Sequence, residues 1–217
     1  MNKRIFSPGE FCIFTQKSVW IFPAVAPAEK RGGAGTARTA RNRRTENMKQ
    51  VLIVVDMQED FIFGSLGSKE ARSILPAVRK RIEDFRAEGG SVVFTRDTHG
   101  EDYLSTREGK YLPVVHCVKD SQGWQIAEGL FKDGDKIFDK PAFGSPLLAE
   151  FVREEGFGRI EMIGVCTDIC VVSNALLIKA FCPEAEVCVR ADCCAGSTPE
   201  AHDAALETMR CCQVEIL

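Results

Sequence analysis

From Gln50 onward the chain repeats one theme, a short run of β-branched and apolar residues followed by a stretch with apolar residues at helical spacing. This alternation is the mark of parallel strands joined by crossover helices, and it restricts the fold to the α/β class. Val51–Asp56 (VLIVVD) is nearly all apolar, as a strand covered on both faces must be. Ala71, Ile74, Leu75, Val78, Ile82 and Phe85 then recur at helical intervals, and Gly89-Gly90 stop the pattern. Further strands are predicted at Ser91–Arg96, Asp135–Asp139, Arg159–Val165, Ala185–Arg190 and Val214–Leu217, with helices over Pro146–Glu155, Thr167–Phe181 and Pro199–Cys212. The expectation is an open, mostly parallel six-stranded sheet with helices on both faces.

Charge divides the chain. Residues 1–47 carry nine Lys/Arg and three Asp/Glu, a net +6, whereas residues 48–217 are net −9. Lys30–Asn47 holds almost no large apolar side chain and cannot offset the entropy of ordering, so 1–47 reads as a basic, disordered or non-native extension, with Met48 as the functional start. Ser18–Ala28 has the outline of an exported chain's apolar region, but Pro23 breaks it and Glu10 and Lys17 interrupt the run before it. No stretch approaches the ~20 apolar residues of a membrane span. Ten cysteines sit mostly inside apolar element patterns, as Cys188 does, in a chain large enough to bury a core without staples. The adjacent pairs Cys193-Cys194 and Cys211-Cys212 lack the intervening residues that let two sulfurs converge on zinc. A reducing cytoplasm is the expected compartment.

In sheets of this kind ligands sit beyond the carboxyl ends of the strands. Strand one ends in Asp56, strand two in Asp97 with His99 close behind, strand three in Asp139-Lys140, and strand four runs into Thr167, Asp168 and Cys170. A cysteine in an apolar helix is often a small buried hydrophobe. Cys170, however, falls in the first turn after Thr167, the expected N-cap, where free N–H groups and the helix dipole favour a thiolate. With Asp56 as base and Lys140 as cation, a cysteine–acid–lysine set is workable for acyl transfer. Taken singly, Lys140 also reads as a solvated strand end and Asp56 as a turn residue. Asp97 and His99, with Glu108 and His116 in the same long polar segment, offer oxygen and nitrogen donors suited to Zn, Mn or Fe, and they equally fit ordinary loop histidines and acids.

Val51–Phe63 (VLIVVDMQEDFIF), Arg96–His99, Phe138–Pro141 and above all Gly164–Val171 (GVCTDICV) resemble the isochorismatase-like cysteine hydrolases, most closely the nicotinamidase branch, over residues 48–217. The resemblance implies a Rossmann-like sheet, Asp56 as general base, Lys140 as its partner and Cys170 as nucleophile. It implies an oxyanion hole from the backbone N–H groups of Cys166 and Cys170, and a cis peptide between Val165 and Cys166. It also implies one divalent metal ion held by Asp97, His99 and His116, with Glu108 the fourth member and Glu101 and Asp102 competing for that place. Relatives acting on isochorismate, carbamoyl or ureido compounds generally lack that metal site. Glu59 stands where the family often has Asn, and the loop lacks the usual Trp-Pro-His wording.

The implied reaction is hydrolysis of nicotinamide to nicotinate and ammonia, a step of NAD salvage, with the metal gripping the pyridine nitrogen and Phe61 and Phe143 sandwiching the ring. With strand one flanked by two and four, the metal stands two strand spacings, on the order of 10 Å, from the thiol. Two rivals remain: a related amidase for another small amide, and a metal- or nucleic-acid-binding regulator with a silent thiol. A binding module has no reason to assemble a triad, so the expected partner is a small molecule rather than nucleic acid or membrane. The oligomeric state is left open, a homo-oligomer included.

Overall fold

The computed structural model describes residues 48–217; the expectations placed on residues 1–47, including Ser18–Ala28, lie outside the described residues. Six strands form one sheet: β1 Gln50–Val55, β2 Ser91–Asp97, β3 Lys136–Lys140, β4 Arg159–Val165, β5 Glu186–Ala195 and β6 Glu215–Ile216. Their spatial order is β3-β2-β1-β4-β5-β6 with every pairing parallel. The expected class and strand count hold, and the sheet is wholly rather than mostly parallel.

Side-chain alternation on β1 explains why both faces are covered. Val51, Ile53 and Val55 enter one core, and Leu52 and Val54 enter the other. The first core is closed by α4 (Pro146–Glu155), α5 (Val172–Phe181) and α6 (Pro199–Cys211), and the second by α2 (Lys69–Ala87). Ala71, Ile74, Val78, Ile82 and Phe85, the apolar stripe read from the sequence, are the buried face of α2. Hydroxyl caps fix where helices begin: Ser68, Ser145 and Thr198 each accept a hydrogen bond from the backbone N–H three residues on, an arrangement worth about 1 kcal/mol apiece.

Three local readings need correction. β5 continues to Ala195, five residues beyond the expected end, because the register shifts between Met162 and Gly164 and lets Cys194 and Ala195 pair with Gly164 and Val165. The polar Arg190 and Asp192 in mid-strand hid this in the sequence. The segment expected as one helix from Thr167 begins instead as a π-helical turn over Thr167–Val171, capped by Cys166 rather than Thr167, before α5. Finally, the long polar connection after β2 is not featureless: a 3₁₀ turn, Tyr103–Ser105, and the short α3, Arg107–Tyr111, fold within it. Another short helix, α1 (Glu59–Ile62), follows β1. No described helix is long and apolar enough to cross a membrane.

Candidate active site

Gly164 shows how tightly the carboxyl edge of the sheet is assembled. Its φ is +121°, and a Cβ there would stand 2.1 Å from the Val55 carbonyl oxygen, so only glycine lets β4 run this close to the end of β1. Asp56 follows β1 directly, the Val165–Cys166 peptide that follows β4 is cis as expected, and the π turn then brings Cys170 over the same edge.

Lys140 ties this end of the site together. It lies beside Asp97 in the β2–β3 register, and its long stem carries Nζ across the end of β2. There Nζ stands 2.7 Å from Asp56 Oδ2, 3.3 Å from Asp97 Oδ1 and 3.4 Å from Cys170 Sγ. All four side chains are buried. Asp56 Oδ1 accepts from Thr95 Oγ1 at 2.6 Å. Oδ2, although ion-paired to Lys140, has no aligned hydrogen-bond donor.

The electrostatics correct the expectation of a resting thiolate. Burial, with the Asp56 charge beside it, pushes the Cys170 thiol well above its ordinary range, and this outweighs Lys140. Burial also raises the Asp56 carboxyl against the pull of Lys140. For Lys140 burial works against the charge, but Asp56 and Asp97 together hold the ammonium on. Burial thus disfavours the thiolate at Cys170, while the ammonium of Lys140 is favoured by the carboxylates around it.

A few ångströms away, four side chains point their ligand atoms at one another. One donor atom from each of Asp97, His99, Glu108 and His116 lies within 4.8 Å of every other. His99 Nε2 is 2.9 Å and His116 Nε2 3.4 Å from Asp97 Oδ2, and Glu108 Oε1 is 3.8 and 3.9 Å from the two imidazoles. Glu108, not Glu101 or Asp102, takes the fourth place. His116 Nδ1 donates to the Val114 carbonyl at 2.8 Å, which fixes the tautomer that leaves Nε2 free to ligate. Two imidazoles, two carboxylates and a tautomer locked from behind fit a divalent Zn, Mn or Fe ion. Burial disfavours the Asp97 charge, yet the two histidines beside it and the Lys140 charge overcome it and hold its carboxyl below the usual range. Lys140 links the two ends, touching Asp97 and Cys170 at once.

Both ends open on one cavity of about 440 Å³, lined among others by Phe61, Glu108, His116, Phe143, Cys166 and Cys170. The Phe61 ring meets His116 edge-on at 5.7 Å, while Phe143 is half exposed at the mouth. Of the adjacent cysteines, Cys193 and Cys194 enter opposite cores, so their side chains diverge, and Cys211 and Cys212 are exposed.

Several residues escaped the sequence reading. Buried Gln58 donates from Nε2 to the Asp97 and Trp124 carbonyls, each at 2.9 Å, and accepts from the Asp97 N–H at 2.7 Å. Asp60 accepts from the Cys117 N–H at 2.7 Å, which anchors the chain next to His116. Tyr103 packs its ring 4.6 and 4.9 Å from the two imidazoles and donates its hydroxyl to the Leu112 carbonyl. Thr95 and Asn174 are equally buried and equally bonded. Gln58 and Asp60 lie inside a motif that was read, and Asn174 is a polar residue in an apolar helix, a signal that could have been used.

Known proteins with this construction include the nicotinamidase/pyrazinamidase of Mycobacterium tuberculosis, 28% identical over 195 residues that span 77% of this chain and 98% of that one. The zinc-bound pyrazinamidase of Pyrococcus horikoshii superposes with a TM-score of 0.70 at 33% identity, covering 78% of this chain and 98% of the other. The N-carbamoylsarcosine amidase of Thermoplasma acidophilum gives a TM-score of 0.66 at 28% identity, over 78% and 95% of the two chains. Residues 50–217, from the first strand to the last residue, match the isochorismatase domain. The chain belongs to the isochorismatase domain family and is a hydrolase that acts on amide bonds.

Proposed function

We propose that the chain hydrolyses nicotinamide to nicotinate and ammonia through a thioester on Cys170. The observation that carries this reading is the pairing of two ends in one cavity: a thiol–carboxylate–ammonium set and a cluster of two imidazoles and two carboxylates. Asp97, His99, Glu108 and His116 would hold the divalent ion, which when bound supplies a Lewis acid for a ring nitrogen.

Asp56 takes the thiol proton as Cys170 Sγ attacks the carboxamide carbon, and Lys140 holds the carboxylate in place while its charge changes. The backbone N–H groups of Cys166 and Cys170 are assigned to the oxyanion, each such donor contributing on the order of 3 kcal/mol when aligned. The proton on Asp56 passes to the amide nitrogen, the C–N bond breaks and ammonia leaves a thioester. Asp56 then takes a proton from water as its oxygen attacks the thioester carbon, and nicotinate departs as the thiol is restored. Phe61 and Phe143 are assigned to the two faces of the ring.

The likeness to N-carbamoylsarcosine amidase supports a second reading, a carbamoyl or ureido substrate, which has no ring nitrogen for the four-residue cluster to serve. Ammonia release measured on nicotinamide beside a panel of ureido and carbamoyl compounds separates the two. A higher kcat/KM on any member of that panel than on nicotinamide refutes the first. All nine cysteines of the described residues are free thiols, which supports a reducing compartment, the cytoplasm.

A further inference from the structure

Asn174 lies in α5, four residues after Cys170, and is completely buried. A carboxamide in so apolar a helix must find partners. It finds three. Nδ2 donates to the Cys170 carbonyl at 2.8 Å and to the Phe143 carbonyl at 3.0 Å, and Oδ1 accepts from the Ser145 N–H at 2.9 Å. The first partner is the backbone of the thiol residue itself. The other two belong to the turn between β3 and α4, three to five residues after Lys140, where Phe143 lines the cavity and Ser145 caps α4. Phe143 is 45% exposed, so core packing alone does not hold it. Its backbone anchor to Asn174 matters correspondingly more.

We infer that Asn174 is a positioning residue for the reaction: its carboxamide ties the turn bearing Cys170 to the turn bearing Phe143, and holds thiol and ring wall in one geometry. The inference rests on Cys170 being the nucleophile. Asn174 touches neither substrate nor thiol and acts through the backbone at both ends.

Two substitutions separate its two connections. A serine at 174 retains reach to a carbonyl four residues back, as Ser173 does to the Ile169 carbonyl at 2.6 Å, but cannot span to the Phe143–Ser145 turn. Asn174→Ala removes both connections. The readouts are kcat and KM for nicotinamide, the rate of Cys170 alkylation by iodoacetamide followed on its peptide by mass spectrometry, and the melting temperature. Asn174→Ser is expected to raise KM about tenfold, with kcat and alkylation within about twofold of wild type, because the ring wall alone is released. Asn174→Ala is expected to change the alkylation rate at least about fivefold and to lower kcat about tenfold as well. Wild-type alkylation, kcat and KM in folded variants that lose only melting temperature would overturn the inference. If Asn174→Ala fails to fold, the split between KM and kcat in Asn174→Ser decides alone, and its absence overturns the inference. Should the wild-type enzyme release no ammonia from nicotinamide, the proposed function falls, while the alkylation rates of the two variants still decide the role of Asn174.

Discussion

The two ends of the cavity are built by different means. The thiol end is an edge of the sheet: Asp56, Asp97 and Lys140 terminate or follow three neighbouring strands and Cys170 follows the fourth, so backbone ladders set their spacing. At the histidine end only Asp97 belongs to a strand. His99, Glu108 and His116 come from the connection between β2 and β3, held by side-chain ties from Gln58, Asp60, Tyr103 and the Trp124 Nε1 to Thr98 hydrogen bond. On the proposed function, bond-making would fall on the edge of the sheet and recognition on a loop, the kind of segment that varies most readily.

That contrast is broken most directly at its thiol end. Cys170→Ala is expected to lower kcat by at least about a thousandfold while the protein remains folded, since only a small side chain leaves the core. Residual activity within tenfold of wild type, with an unchanged circular dichroism spectrum, refutes the nucleophile. At the loop end, His99→Ala should cut bound metal, counted per chain by elemental analysis, and raise KM for nicotinamide about tenfold or more. Alkylation of Cys170 by iodoacetamide should proceed in that variant at the wild-type rate. A slower alkylation would show that the loop end also activates the thiol.

A smaller effect is expected in the pH profile. Asp56 must be ionised to accept the thiol proton, and burial raises its carboxyl, so kcat/KM should fall on acidification at a pH above the ordinary carboxylate value of about 4. An acid limb at or below that value would assign the base elsewhere. Tyr103→Phe keeps the ring against the imidazoles and removes only the hydroxyl bond to Leu112, so thermal unfolding should register a loss of about 1 kcal/mol with kcat unchanged. Deletion of residues 1–47, which contain none of the site residues and whose stretch from Lys30 to Asn47 has almost no large apolar side chain, is expected to leave kcat/KM within twofold.

Sheet, strand order around β1 and most helices were legible because both hydrophobic periods are strong: Val51–Val55 reads as a two-faced strand and the stripe from Ala71 to Phe85 as one helix face. What failed was local and had specific causes. Asp192 interrupts the apolar run of β5, and the bulge opposite Gly164 that carries the strand past it depends on a neighbouring strand. The π turn at Cys170 leaves no mark in an apolar sequence that suits an α-helix equally well. The site acids, thiol and histidines were legible as residue types at strand ends. The upward pull on the Cys170 thiol was not, because burial is a property of the assembled edge and opposes what the helix terminus alone would do. Gln58 and Asn174 were missed for a related reason, since a side chain that serves distant backbone groups has no spacing rule to betray it.

Asp97 gives one oxygen to Lys140 and the other to both imidazoles. Seen from the standpoint of descent, it is a hinge between two inheritances. A lineage that abandoned ring recognition could discard His99, Glu108 and His116 one at a time. It could not discard Asp97 on the same terms, because the lysine beside the thiol would lose a counter-charge in the same mutation.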